Sequence, residues 1–167
     1  EAMAAVPRHL FVGPVYRHLA YADHPVPIGD GQTISQPYIV ALMTQLLAPK
    51  PGERILEIGT GSGYQAAVLA QLGASVYTVE IIRSLADRAE STLNELGYDS
   101  VHVKWSDGGE GWEGEGPFDG VIITCATPEL PPEVFNQVRE GGRIVLPLGD
   151  PNTYQTLSVI TKKNGIP

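Results

Sequence analysis

Hydrophobic positions in this chain change their period along its length. From Pro37 onward, Ile39, Leu42, Met43, Leu46 and Leu47 recur at helical spacing and share one face. Proline suits a first helical turn, and Pro49, Pro51 and Gly52 end the run and turn the chain. Short apolar runs then alternate with helical stretches. The pattern predicts strands over Arg54–Ile58, Ser75–Glu80, Val101–Trp105, Gly120–Cys125 and Arg143–Pro147. It predicts helices over Tyr64–Leu72, Ser84–Leu96 (stopped by Gly97) and Pro132–Arg139. Gly120–Cys125 runs without polar alternation, as a strand covered on both faces should. Gly108–Pro117 reads as a glycine-rich loop, and Thr156–Thr161 as a strand at a sheet edge. This β-α-β-α order implies an α/β fold, Rossmann-like, with a mostly parallel open sheet and helices on both faces. Ligands on such sheets bind at the carboxyl ends of the strands. Residues 1–35, rich in proline, glycine and aromatics, read as a short helix followed by an ordered, irregular arm. One domain is expected over 1–167, with the arm over 1–35 and the core over 36–167.

Composition narrows the function classes. The chain has 167 residues, 43% hydrophobic and 18% charged, enough for a sizeable core. No apolar run approaches the roughly 20 residues needed to span a bilayer, and the opening residues do not resemble a signal peptide. A single cysteine, Cys125, excludes an internal disulfide and fits a reducing compartment such as the cytoplasm. The net charge of −8 argues against non-specific nucleic-acid binding. An anionic substrate would need local donors, because the overall field would not attract it. His9, His18, His24 and His102 show no ligand spacing, so no metal is expected.

The sharpest local signal is Glu57-Ile58-Gly59-Thr60-Gly61-Ser62-Gly63, directly after a strand and opening a helix. Glycines there let the backbone turn tightly and approach a ligand. A plain strand-to-helix turn would explain them equally well. The dinucleotide spacing G-x-G-x-x-G places Tyr64 at its third position, which disfavours a nicotinamide cofactor. Glu57 would repel a pyrophosphate but tolerate the cationic methionine end of S-adenosylmethionine. Glu80 ends the next strand, about 20 residues on, where a carboxylate accepts from ribose hydroxyls. Asp107-Gly108 follows the third strand, as an adenine contact or simply a turn. Ser35 and Gln36, in Gly31-Gln32-Thr33-Ile34-Ser35-Gln36-Pro37, sit where a helix cap would sit, and could equally help hold a carboxylate.

The sequence resembles the protein-L-isoaspartate O-methyltransferase family over nearly its whole length, in the bacterial style. The resemblance is carried by Val6-Pro7-Arg8-His9-Leu10-Phe11-Val12, by Pro27-Ile28-Gly29 leading into Gly31–Tyr38, by Glu57–Gly63 continuing into Tyr64-Gln65-Ala66-Ala67, and by Gly141-Gly142-Arg143 with Leu146-Pro147-Leu148-Gly149. It implies a class I methyltransferase that uses S-adenosylmethionine to methylate the free α-carboxylate of L-isoaspartyl residues in damaged proteins and peptides. The ester then closes to a succinimide, which hydrolyses partly to normal aspartate. The family's pattern makes Ser35 the active-site serine and Thr33, Gln36 and Tyr38 substrate neighbours. Ile34, Glu57, Gly59, Gly61, Gly63, Glu80, Asp107 and Gly108 become cofactor contacts. Some relatives have histidine where this chain has Tyr38. Relatives usually continue past Ile166-Pro167, so a further C-terminal segment is expected to be missing. The implied enzyme is a cytoplasmic monomer with neither nucleic acid nor membrane as partner. Two other readings stay open: a carboxyl methyltransferase dedicated to another peptide acceptor, and a non-catalytic module that binds S-adenosylmethionine. A nicotinamide oxidoreductase is a distant third.

Overall fold

The computed structural model describes residues 1–167. The arm begins with helix α1 (Ala2–Ala5), followed by two 3-10 turns over Arg8–Phe11 and Pro14–Leu19. An antiparallel hairpin comes next, β1 (Val26–Gly29) and β2 (Gln32–Ile34). Its turn residues, Asp30 and Gly31, both take positive φ, as tight hairpins require. Val26, Ile28 and Ile34 point into the core, so the arm is part of the packed structure.

Helix α2 (Pro37–Leu47) starts at the proline and ends before the expected breakers. The chain then alternates through β3 (Arg54–Ile58), α3 (Tyr64–Gln71), β4 (Ser75–Glu80), α4 (Arg83–Glu95), β5 (Val101–Trp105) and β6 (Phe118–Ile123). It finishes with α5 (Pro132–Asn136), β7 (Val138–Leu148) and β8 (Thr156–Thr161). The six-stranded sheet has the order β5-β4-β3-β6-β7-β8, parallel except for β8, which runs antiparallel to β7 at the edge. The order reverses between β3 and β6, which opens a crevice at their carboxyl ends.

Both faces of the sheet are covered, unequally. Ile55, Val76, Val101, Ile122 and Val145 point into the larger core with α2, α3 and α4. Leu56, Ile58, Val79, Val121 and Ile144 point the other way, where α5 contributes Val134. Successive strand residues therefore bury alternately into two cores, which explains the absence of polar alternation.

Boundaries depart from the sequence reading by one residue in α3 and α4 and by more in β6, α5 and β7, where β7 begins at Val138 rather than Arg143 and runs to Leu148. Strand β6 starts at Phe118, because that fully buried ring pairs with Val138 across an irregularity in the register. Helix α5 stops at Asn136 because Val138 is already committed to β7. Cys125 lies just beyond β6.

Candidate active site

Gly59 begins the turn after β3, with φ at +95°. A Cβ there would lie 2.6 Å from Thr124 Oγ1. That hydroxyl donates to the Gly59 carbonyl at 2.6 Å and lies 3.1 Å from the Ile58 carbonyl, so only glycine leaves space for the stitch between β3 and the end of β6. Glu80, 6% exposed, ends β4 and faces this turn. Its Oε2 accepts from the Gly61 amide at 2.8 Å and its Oε1 from the Ile82 amide at 3.0 Å. A carboxylate has about four acceptor positions, so Glu80 retains capacity for a ligand hydroxyl. After β5, Asp107 caps a 3-10 turn by accepting from the Gly109 amide at 2.8 Å. Gly108 packs against Ile58, where a Cβ would meet Cγ2 at 2.4 Å.

These groups surround a cavity of about 430 Å³ at the carboxyl ends of β3, β4 and β6. Thr33, Ile34 and Ser35 line it from the hairpin side, and Gly59, Gly61, Glu80, Asp107 and Gly108 from the sheet side. The two groups of expected residues, far apart in sequence, therefore meet in one space. Its chemistry fits an adenosyl ligand: bare backbone at the glycine turn, a fixed carboxylate at the next strand end, and apolar walls from Ile58, Val79 and Ile123.

Four expected contacts lie outside the cavity lining. Glu57 is fully buried within β3. Its Oε1 accepts from Thr78 Oγ1 at 2.6 Å, while Oε2 has no partner. Burial pushes its carboxyl up to about 8, so at neutral pH it is largely uncharged. Gly63 is the left-handed N-cap of α3, where a Cβ would press on Leu93 and Ala89 of α4. Gln36 caps α2 by position without a side-chain bond. Tyr38 is 59% exposed, and its backbone amide donates to Asp23 Oδ1 at 3.0 Å.

Other lining residues escaped the sequence reading. Gln65 faces the cavity while its Nε2 donates to Thr44 Oγ1 at 2.9 Å. Met43 supplies wall from α2. Thr124 could have been found from its place at the end of a strand beside the reversal in strand order. Cys125, already placed near the site by sequence, also borders the space; it is exposed, and partial desolvation raises its thiol above the ordinary range. The loop Gly108–Pro117 is held rather than free: the Trp112 amide donates to Gln137 Oε1, and Gln137 Nε2 donates to the Glu110 carbonyl, each at 2.8 Å.

A parallel sheet with this strand order and this glycine-and-carboxylate cavity belongs to the Rossmann-like methyltransferases that use S-adenosylmethionine. Comparison with known proteins makes the assignment particular. The family model for protein-L-isoaspartate(D-aspartate) O-methyltransferase matches residues 1–166, and the chain belongs to that family. It is 53% identical over 166 residues to a protein-L-isoaspartate O-methyltransferase of Opitutus terrae, covering 99% of this chain and 71% of that protein. A solved protein-L-isoaspartate O-methyltransferase superposes with a TM-score of 0.88 at 30% identity, over 98% of this chain and 56% of the other. A Plasmodium falciparum structure described as a beta-aspartate methyltransferase in complex with S-adenosyl-L-homocysteine superposes at 0.83 with 28% identity, covering 99% of this chain and 82% of that one. The chain thus spans little more than half the length of one solved relative.

Proposed function

We propose that this chain transfers a methyl group from S-adenosylmethionine to the free α-carboxylate of L-isoaspartyl residues in proteins and peptides. The observation that carries the reading is the single cavity lined by both Ser35 and Glu80. Glu80 receives ribose hydroxyls, Gly59 and Gly61 give the ligand access to bare backbone, and Asp107 with Gly108 borders the adenine. Ile34 adds apolar wall between cofactor and acceptor. When bound, S-adenosylmethionine supplies a methyl group made electrophilic by its positively charged sulfur.

The chain's own task lies at the acceptor. An α-carboxyl has a pKa of about 3.3–3.7, so the acceptor is already ionised at neutral pH and needs no general base. The site accordingly needs no base paired with Ser35. The Ser35 hydroxyl donates to one carboxylate oxygen and leaves the other free to attack, with Thr33 assisting and Gln36 and Tyr38 bordering the peptide. One or two neutral donors orient the anion without suppressing its nucleophilicity, as an arginine clamp would. Orientation of this kind supplies several kcal/mol, up to about 7–11 in the most favourable systems. The carboxylate becomes a methyl ester, and the neighbouring backbone nitrogen displaces methanol to close a succinimide without the enzyme.

We infer also that residues 1–35 and 36–167 work as one domain, monomeric and cytoplasmic, without nucleic acid or membrane as partner. The net charge of −8, the lone Cys125 and the lack of any helix long and apolar enough to cross a membrane support this. Light scattering of the purified protein tests the monomer.

The activity test uses labelled S-adenosylmethionine and two peptides that differ only in one aspartyl or isoaspartyl linkage. Selective labelling of the isoaspartyl peptide is expected. Cofactor binding without labelling of either would replace the repair reading with a dedicated acceptor or a binding module.

A further inference from the structure

Arg8 is the one arginine in the chain that is almost wholly buried, at 1% exposure. It sits in the 3-10 turn of the arm, where its guanidinium joins three segments far apart in sequence. Nε donates to the Ala20 carbonyl at 2.5 Å, and Nη2 donates to the Ser35 carbonyl at 2.7 Å. The guanidinium carbon lies 4.8 Å from the centroid of the Tyr64 ring, which opens α3 and borders the cavity. The remaining nitrogen, Nη1, is buried without a partner. None of the chain's salt bridges includes Arg8.

A buried cation with no direct ion pair, and only the more distant Asp23 carboxylate to favour its charge, is costly, and an apolar side chain could fill the same volume. Its bonds indicate what the charge does. A charge-assisted bond to the Ser35 carbonyl fixes the plane of the peptide that follows Ser35, and with it the direction in which the Ser35 side chain leaves the backbone. Packing of the guanidinium over the Tyr64 ring references that plane to the first turn of α3. Arg8 also places a positive charge behind the acceptor side of a chain whose net charge is −8. That charge is local compensation for the unfavourable overall field that an incoming carboxylate meets.

We propose that Arg8 is a positioning residue for methyl transfer, which acts through the Ser35 peptide to orient the acceptor carboxylate and never touches it. The inference rests on the proposed acceptor role of Ser35.

The test compares wild type, Arg8→Met, Arg8→Lys, Ser35→Ala and the double variant Arg8→Met/Ser35→Ala. Three quantities are read: affinity for S-adenosylhomocysteine, affinity for an isoaspartyl peptide with that product bound, and kcat/KM for the peptide. Cofactor affinity is expected to stay at the wild-type value. Peptide affinity and kcat/KM should fall in Arg8→Met, with kcat/KM down by about tenfold or more, up to about a hundredfold for a misplaced reacting group, and by no more than in Ser35→Ala. Arg8→Lys, which keeps the charge but loses the planar fork, should recover only part of the loss. In the Ser35→Ala background the Arg8→Met loss should largely vanish, because both changes remove the same orientation. Wild-type kinetics in either Arg8 variant would overturn the inference, as would additive losses in the double variant. If Arg8→Met does not fold, Arg8→Lys alone decides by the same criteria. A wild-type protein that labels no isoaspartyl peptide would overturn the functional reading itself, and that outcome is distinct from all the others.

Discussion

Glu80 from the sheet and Ser35 from the segment after the hairpin line one cavity, and their substitutions should separate cleanly. Both Glu80 oxygens already accept backbone amides, which fixes the carboxylate before any ligand arrives. Replacement by alanine removes the proposed acceptor for the ribose and frees the Gly61 amide. A hydrogen bond to a charged group is worth about 1.5–3 kcal/mol, so Glu80→Ala should weaken S-adenosylmethionine binding about ten- to a hundredfold. Calorimetry that returns wild-type affinity would remove the ribose role. Ser35→Ala should lower kcat/KM for an isoaspartyl peptide by a similar about ten- to a hundredfold, for the same reason, while cofactor affinity is unchanged. Parallel loss of both would mean that Ser35 supports the cofactor pocket instead. Gly108 offers a third test, since its added Cβ would strike Ile58 Cγ2 at 2.4 Å. Gly108→Ala should shift the turn beneath the expected adenine and weaken cofactor binding, while leaving peptide affinity intact.

The turn after β3 is also held from below, by a chain of hydroxyls linking elements. Glu57 in β3 accepts from Thr78 in β4, and Thr78 Oγ1 lies 2.6 Å from Thr60 Oγ1 in the turn itself. Burial dominates the Glu57 carboxyl and raises it from an ordinary 4.5 to about 8. In the unfolded chain that carboxyl ionises near 4.5, while the folded chain keeps it protonated up to about 8. Its contribution to stability is therefore complete below pH 4.5, falls as pH rises through the interval, and levels off above pH 8. Each unit of difference is worth about 1.4 kcal/mol. Glu57→Gln, neutral at every pH, should flatten this slope, so urea unfolding should show it gaining on wild type between pH 5 and pH 8.5. An unchanged slope would place the titration elsewhere. Elements differ in how far the sequence discloses them. The bounds of β3, β4, β5 and β8 were legible because each is a short apolar or β-branched run between breakers. The end of α5 was hidden, because pairing of Val138 with Phe118 overrides local helical preference. The glycine turn and Glu80 were legible through spacing as one wall of a cavity. Glu57 looked equally well placed, yet its position inside β3 turns it away from the cavity, and no local pattern separates the two carboxylates. Arg8 was hidden for a related reason: charged residues read as surface, and its burial depends on Ala20, Ser35 and Tyr64 meeting in space.

At the scale of the whole molecule, charge opposes the chemistry. The chain carries 19 acidic and 11 basic residues, and its acceptor is a carboxylate. Within the cavity, the groups proposed to hold the anion are hydroxyls and backbone rather than formal charges, and Glu57 is kept neutral beneath the site. Outside it, the net charge of −8 acts on any approaching anion, and the single buried Arg8 offsets only a small part of it, so encounter with a substrate depends on the peptide's own charge. Two isoaspartyl peptides with the same residues next to the damaged linkage, one with distal lysines and one with distal glutamates, should differ in kcat/KM in favour of the basic one. Electrostatic steering changes association by about 10- to 1000-fold in strongly charged systems, and the lower end is expected here. Screening has a length of about 10 Å at 0.1 M salt, so raising ionic strength should slow the basic peptide, speed the acidic one and bring the two together. Saturated turnover, which the proposed mechanism assigns to Ser35 and its surroundings, should respond to neither change. Equal kcat/KM at low salt would mean that the negative surface lies away from the cavity mouth. Convergence in kcat rather than in kcat/KM would place the effect inside the site, on the acceptor carboxylate itself.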